Sequence, residues 1–403
     1  MGTLRGMLTI ISNATMRNNK GTQLILACCC IHSSTWHHSI FKKNLQVKTD
    51  TSEIPEIGTP VESWYFDVSR SGRIKIESKM DVHVEPINSL KFPEMNKLFI
   101  NIMYMGQKKL SSYDIKELSK QYVVDVDLED LNAGMHLKIE QNTKAVLETL
   151  CHIKLPLQYD VEVACFDQAC VSVEQTEGAK VSVRTHAGGC TLKNVKTMTT
   201  DVLTQGGNIS IKKLLQGSVD LTASMDGTIS ADRLQGPVVH CQTNKGSISA
   251  KAIYAEKVAL TARSCNISID SCHGHSLVDI KQGHLTIGTV AGSLHANIGS
   301  GNTHIGMAEP TQAQISTNSG DIEIKLWQNE SGSVRLQADQ VDVGDVTLLH
   351  RSSEKRGDQE LLTGELGKNT AQGEPVIIAK TGKGKIKLGY YNWLTSLSFS
   401  KGR

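Results

Sequence analysis

The chain has 403 residues, 39% hydrophobic and 21% charged, with a formal net charge of +2, a globular composition long enough for one large or two medium domains. Aromatic residues are only 4%, and no run reaches the roughly 18 apolar residues of a membrane-spanning helix. Glycine is plentiful (34), proline scarce (8), and Val, Ile and Thr cluster with the glycines, which predicts an all-β protein of short strands and tight turns.

Residues 1–49 read as a targeting leader. No Asp or Glu precedes Asp50, whereas Arg5, Arg17, Lys20, Lys42, Lys43 and Lys48 all lie there; without them the body carries about −4. A basic, Ser/Thr/Asn-rich segment with scattered Leu4, Met7, Leu8, Ile10 and Ile11 has the pattern of a mitochondrial transit peptide. Two readings compete with it. One is a secretory signal whose short, late core is Leu24 to Ile31; the other is S-acylation of Cys28, Cys29 and Cys30, which gives peripheral membrane association. The polar stretch at 50–61, with two prolines, reads as a linker.

From Glu62 the apolar residues alternate: Trp64, Phe66 and Val68, then Ile74 and Ile76, then Val82 and Val84, with Ser71, Gly72 and Arg73 as a hairpin turn. Further strands are expected over 98–105, 122–128 and 135–139, and a helical turn over 113–120. Residues 62–150 form either a small β-rich domain or an N-terminal cap covering the first coil of a stacked fold. In IKLPLQYDVEV at 153–163, Pro156 interrupts what should be an edge or entry strand, where a missing N–H is harmless.

Residues 151–350 carry a repeat: GGNISIKKL, DGTISADRL, KGSISAKAI, SCNISIDSC, QGHLTIGTV, SGNTHIGMA and SGDIEIKLW, about 18 to 20 residues apart. Counting from Gly207, Gly227, Gly246, Cys265, Gly283, Gly301 and Gly320, apolar residues fall at offsets two and four (Ile209 and Ile211, Ile267 and Ile269), with Thr303 where an Ile is expected. Another apolar column falls at offset seven (Leu214, Leu234, Ile253, Cys272, Val290, Trp327), and a third at offsets twelve and fourteen (Val219 and Leu221, Val239 and Cys241). Each copy is therefore two strands and a corner. A unit this short cannot bury its apolar face alone, so the copies must stack. The glycines mark tight turns, where positive φ disfavours a side chain.

An entry strand with Leu155, Pro156, Tyr159, Val161 and Val163, leading into serial Gly-x-Ile-x-Ile strands, resembles the putative-adhesin domains of bacteria and their eukaryotic relatives. With its basic leader the chain looks like a vertebrate member of that family. The resemblance implies a single-stranded parallel β-helix-like solenoid of roughly 19-residue coils, preceded by a β-rich cap or small domain, and transfers no catalytic motif. After the repeat, residues 351–375 read as an exposed charged insertion. Residues 376–403 read as a terminal coil and cap, with Ile386, Leu388 and Tyr391 in repeat register from Gly384 and Trp393, Leu394 and Leu397 closing the end.

Chemistry is sparse in this pattern. The residues to inspect for a metal are His275, His284, His295 and His304, beside Cys272 and His273; stacking brings His284 toward His304 and His275 toward His295, but the spacings match no zinc signature, and turn-lining roles compete. Asp220, Asp226, Asp270, Asp279 and Asp321 fall at different offsets, so no column of acids suggests a polysaccharide-active enzyme on a β-helix. GELGKNT at 364–370 and TGKGK at 381–385 lack phosphate-loop spacing. Cys151, Cys165, Cys170, Cys190, Cys241, Cys265 and Cys272 are odd in number and irregular in spacing, which suits buried thiols in a reducing compartment, with a local Cys165–Cys170 pair as the alternative. An acidic body with few aromatics excludes nucleic acid as a partner. No cofactor is implied. The expected function is a non-enzymatic scaffold or protein-interaction module; an extracellular adhesion module, glycosylated at Asn208 or Asn266, is a further alternative.

Overall fold

The computed structural model describes residues 58–107, 109–128, 134–141, 148–327, 331–367 and 376–391. The leader at 1–49, Trp393, Leu394 and Leu397 lie outside the described residues. Among the described residues, ten strands and one helix precede the repeat: β1 (Thr59–Asp67), β2 (Ser71–Ser78), β3 (Asp81–Pro86), β4 (Lys97–Tyr104), α1 (Ser112–Ser119), β5 (Tyr122–Leu128), β6 (Gly134–Gln141), β7 (Thr149–Leu155), β8 (Gln158–Cys165), β9 (Val171–Glu174) and β10 (Lys180–Thr185). The repeat supplies β11 (Cys190–Thr204), β12 (Ile209–Ala223), β13 (Ile229–Thr243), β14 (Ile248–Ser264), β15 (Ile267–Gln282), β16 (Leu285–Ser300), β17 (Thr303–Ser319) and β18 (Ile322–Leu326). Then come β19 (Gly332–Ala338), β20 (Gln340–Asp342), β21 (Leu349–Arg356), β22 (Gln359–Leu366), β23 (Ile377–Thr381) and β24 (Lys385–Tyr390).

Each long strand from β11 to β17 spans a coil, and its first and last segments pair separately with those of the neighbouring coils, giving two walls of a parallel solenoid joined at a corner. In the first wall Cys190 pairs with Ile209, Ile209 with Ile229, and so on to Ile322 and Ile386. In the second wall Val183 pairs with Val202, Val202 with Leu221, and Ile315 with Ala379. Coils advance by 20 residues from Ile209 to Ile229 and by 18 from Leu285 to Thr303, the period expected from the repeat. Inward residues of both walls form one core running from Val68 to Leu388.

Stack order departs from chain order at both ends. β2 lies between β6 and β8, and β3 between β7 and β9. Likewise β23 separates β17 from β19, and β24 separates β18 from β20. Antiparallel strands finish most of the open edges: β1 on β4, β5 on β6, and β22 with β21 beyond β19. Such edges end the row of unpaired backbone groups that would otherwise template association.

Several local expectations are corrected. Ser71, Gly72 and Arg73 open β2 and make no hairpin, because β1 pairs with β4 in the other wall. Pro156 falls between β7 and β8, which are interior strands of different walls; a bend has no ladder N–H to supply. The charged stretch after 351 pairs as the β21–β22 hairpin: β21 is exposed throughout, while Leu361, Leu362 and Leu366 of β22 are buried against β19. At the corner of β12, Leu215 rather than Leu214 is buried, since Lys213 at φ 65° adds one residue to that coil. Trp327 is also outside the core, 44% exposed, with Leu326 buried in its place.

The glycines have two separate causes. Gly301 sits at φ 140°, as expected. Gly207 is not among the positive-φ residues; a Cβ there would lie 1.9 Å from the Gly188 carbonyl oxygen of the coil beneath. Buried threonines fasten these turns: Thr185 Oγ1 donates to the Gly188 carbonyl and Thr204 Oγ1 to the Gly207 carbonyl, each at 2.6 Å.

Candidate functional site

The outward faces of the two walls differ in chemistry. On the first wall, alternation exposes a column of Ser172, Thr191, Ser210, Ser230, Ser249 and Ser268, and beside it charges that pair between coils. Lys193 Nζ lies 2.6 Å from Glu174 and Lys251 Nζ 2.7 Å from Asp232. These pairs partly satisfy one another, beside the exposed Lys212 and Asp270 on the same face.

On the second wall, β13 to β17 present two adjacent columns: His240, Ala259, Leu277, His295 and Gln314, then Gln242, Thr261, Asp279, Asn297 and Ser316. Asp279 is the one carboxylate in them, and Leu277 is 53% exposed. A shallow groove of about 280 Å³ crosses this surface between His275, Leu277, Ser293, His295, Gln312 and Gln314. At the neighbouring corner, the Tyr254 ring stacks on His273 with centroids 4.6 Å apart, and the Arg233 guanidinium lies 5.9 Å from the centre of the Tyr254 ring. Toward the β8 end of this wall Asp201 stacks directly beside Asp220, so two acids do share a column; Arg184 at 3.9 Å and His240 at 3.2 Å partner them.

The four histidines singled out by the sequence are separated by the register. His284 belongs to a ladder at the turns, in which Asn266 Oδ1 accepts the His284 N–H at 2.9 Å, His284 Nδ1 accepts from Asn302 N at 3.0 Å, and Asn302 Oδ1 accepts from Asp321 N at 3.1 Å. This histidine takes the place of an asparagine rung. His304 Nδ1 lies 3.1 Å from Glu323, and its cross-strand neighbour is Thr286, not His284. His275 Nδ1 bonds Ser293 Oγ at 2.6 Å, while His295 pairs with Leu277, so those two rings are only diagonal neighbours. Asn208 Oδ1, in the other sequon, accepts from Thr228 N at 2.9 Å.

A convergent polar cluster that the repeat does not reveal lies on the outer face of the first wall. β3 carries His83 and Glu85, and β7 carries His152 and Lys154, with His83 opposite His152 and Glu85 opposite Lys154. His152 Nε2 is 2.9 Å from Glu85 Oε1, His83 Nε2 is 3.6 Å from Glu85 Oε2, and Lys154 Nζ is 3.7 Å from Glu85 Oε1. Hydrogen bonds from His152 and then His83 hold the Glu85 carboxyl well below the usual carboxylate range, against a partial desolvation that raises it. Among the described residues this is the group whose three His or carboxylate donor atoms all lie within 4.8 Å of one another. Sequence reasoning passed over it because His83 and Glu85 occupy the polar half of an alternating strand. The available signal was the pairing of VHVE with CHIK across two strands.

The seven cysteines among the described residues are free. Cys165 is buried and Cys170 exposed, with the Cys170 sulfur accepting from Gly189 N at 3.4 Å. Burial pushes the Cys165 and Cys241 thiols up to about 12, which makes them poor nucleophiles.

The family model described as Toastrack DUF4097 matches residues 73–388, the span from β2 to β24. The chain belongs to the Toastrack DUF4097 family. Among solved structures, the Toastrack chain is similar to a putative adhesin from Parabacteroides distasonis, 15% identical over 66% of this chain and 97% of that one at a TM-score of 0.38. A putative adhesin from Parabacteroides merdae is 14% identical over 65% and 95%, at 0.36. A putative lipid binding protein from P. distasonis is 10% identical over 82% and 97%, at 0.33. Superpositions this loose transfer no residue role. Among the described residues of this Toastrack protein, no helix is long and apolar enough to cross a membrane.

Proposed function

We propose that this Toastrack protein is a non-catalytic solenoid scaffold that binds a protein partner through the outer face of its second wall. The observation that carries this reading is the contrast between the walls. The first wall pairs charges between its coils, while the two central outward columns of β13 to β17 on the second wall hold one carboxylate, Asp279, with Leu277 exposed, Lys257, Arg263 and Lys281 at the margins and a Tyr254–Arg233 ridge at the corner. Depletion of charge at the centre, with Tyr and Arg anchors, is the composition of protein interfaces. Five strands of about six residues give a surface of roughly 24 by 20 Å. That is below the ~800 Å² a stable interface takes from each partner, so the contact extends onto the corner ridge.

The compartment rests on the leader, which the structure does not describe, and the mitochondrial reading is tested by the mature N-terminus of the endogenous protein in fractionated cells. The interaction reading is tested by placing a photo-crosslinking amino acid in living cells at Ala259 or Leu277, and on the first wall at Ser230 or Ser249. Crosslinks to one discrete protein from the second wall only are expected. Equal labelling from both walls, or from neither, would overturn the assignment.

A further inference from the structure

The second binding element is independent of the interaction face. We propose that His83, Glu85 and His152 form a site for a divalent transition-metal ion of the zinc class. Two imidazoles and one carboxylate suit borderline-soft ions such as Zn²⁺ and Co²⁺ and ill suit Ca²⁺ or Mg²⁺, which take all-oxygen shells. The geometry is close to assembled. Bonds of about 2.0–2.1 Å in a tetrahedron put neighbouring donor atoms roughly 3.3 Å apart. The Nε2-to-carboxylate distances, 2.9 Å for His152 and 3.6 Å for His83, bracket that edge length, and the two rings lie 5.0 Å apart between centroids. Both Nε2 atoms approach the same carboxylate from neighbouring strands, so one ion can replace two hydrogen bonds with little movement of the backbone.

A second observation points the same way. His152 is 5% exposed, and its other ring nitrogen, Nδ1, is buried with no hydrogen-bond partner. On the adjoining antiparallel strand Asn101 stands directly opposite His152, is itself 4% exposed, and leaves Nδ2 buried and unpartnered. A ring that binds metal through Nε2 carries its proton on Nδ1 and needs an acceptor there. The Asn101 side-chain amide, on the same face of the adjoining strand, is the polar group nearest in register to supply one. His152 and Asn101 thus place two neighbouring buried polar groups, each with an unpartnered nitrogen, directly behind the cluster. Three protein ligands leave the fourth position to water.

Lys154 works against the ion, with its ammonium 3.7 Å from Glu85 Oε1. This yields an opposed pair of variants. The site also joins β3 to β7, so it ties the inserted N-terminal coil to the strand outside it.

The test is titration of the full chain with Co²⁺, read by visible absorption, and with Zn²⁺ in competition with a chromophoric chelator. The expected result is one ion per chain with a ligand-field spectrum of nitrogen and oxygen donors, weakened at least 100-fold in His83→Ala and Glu85→Gln and tightened in Lys154→Met. Because His83 and Glu85 are partly exposed, both variants are checked for an unchanged far-UV circular dichroism spectrum, and Lys154→Met keeps the proposal testable should either misfold. Three results would overturn it: no binding by the wild-type chain, affinity unchanged in all three variants, or a thiolate charge-transfer band placing the ion on cysteine.

Discussion

Gly206 and Gly207 are adjacent in one turn, yet the stacked coil beneath treats them differently. A Cβ on Gly207 meets the Gly188 carbonyl oxygen at 1.9 Å, whereas a Cβ on Gly206 has the Ala187 Cα as its nearest neighbour, at 3.9 Å. Carbon and carbonyl oxygen normally approach to about 3.3 Å, so Gly207→Ala must part the two turns by more than an ångström. The bonds across that gap run from Cys190 N to Asn208 O at 2.8 Å and from Gly206 N to His186 O at 2.9 Å, and the Thr204 and Thr185 hydroxyl clips stand beside them. Losing two or three such inter-coil bonds at ~1 kcal/mol each, with the backbone groups left unpaired, amounts to about 2–4 kcal/mol. For a chain of 403 residues that lowers Tm by about 2–5 °C. Gly206→Ala should stay within about 1 kcal/mol of wild type. Urea and thermal melts of the full chain followed by far-UV circular dichroism separate the two. A Gly207→Ala protein as stable as wild type, or an equal loss from both variants, would refute the claim that backbone clearance between coils selects this glycine.

Two other outcomes rest on buried polar groups. Thr303 is fully buried, with its hydroxyl unpartnered, in a column otherwise filled by Leu285 and Ile322; Thr303→Val removes that cost and should gain about 1–2 kcal/mol, so a lower melting temperature would contradict the assignment. The Glu85 carboxyl is held down by His152 and His83. Since its folded value lies below the unfolded one of about 4.3, its contribution is full above that pH and fades as pH falls through the folded value. Glu85→Gln should therefore be less stable than wild type at neutral pH, with the difference shrinking as the solution is taken below about pH 4. Urea midpoints that differ as much at pH 3 as at pH 7 would show that the shape of the side chain, and not its charge, matters.

The stacking was legible in the sequence because period-two alternation inside a fixed repeat leaves one solution: Ile209, Ile229, Ile248 and Ile267 had to lie in one column, and they do. What the repeat hides is any departure from it. One extra residue at Lys213 moves the corner from Leu214 to Leu215, and Trp327 leaves the core to stack on Tyr391 at 5.1 Å. The insertion of β2, β3, β23 and β24 between coils remote in sequence was invisible for the same reason; an alternating strand states which face is buried but not which neighbour it pairs with. The candidate metal ligands depend on that pairing, because His83 and His152 meet only once β3 lies beside β7. Histidines within the repeat attracted attention by number, yet His284 is a hydrogen-bond acceptor in a turn ladder.

The central claim is that the second wall binds a protein partner. It is tested most directly by sizing the native protein from gently lysed cells, comparing wild type with Leu277→Asp, a substitution at a residue 53% exposed and so one that leaves the core intact. The wild-type chain should elute in a complex larger than its own mass and the variant at the mass of the free chain, with the same Tm for both purified proteins. A variant that remains in the complex, or a wild-type chain that elutes free, would contradict it.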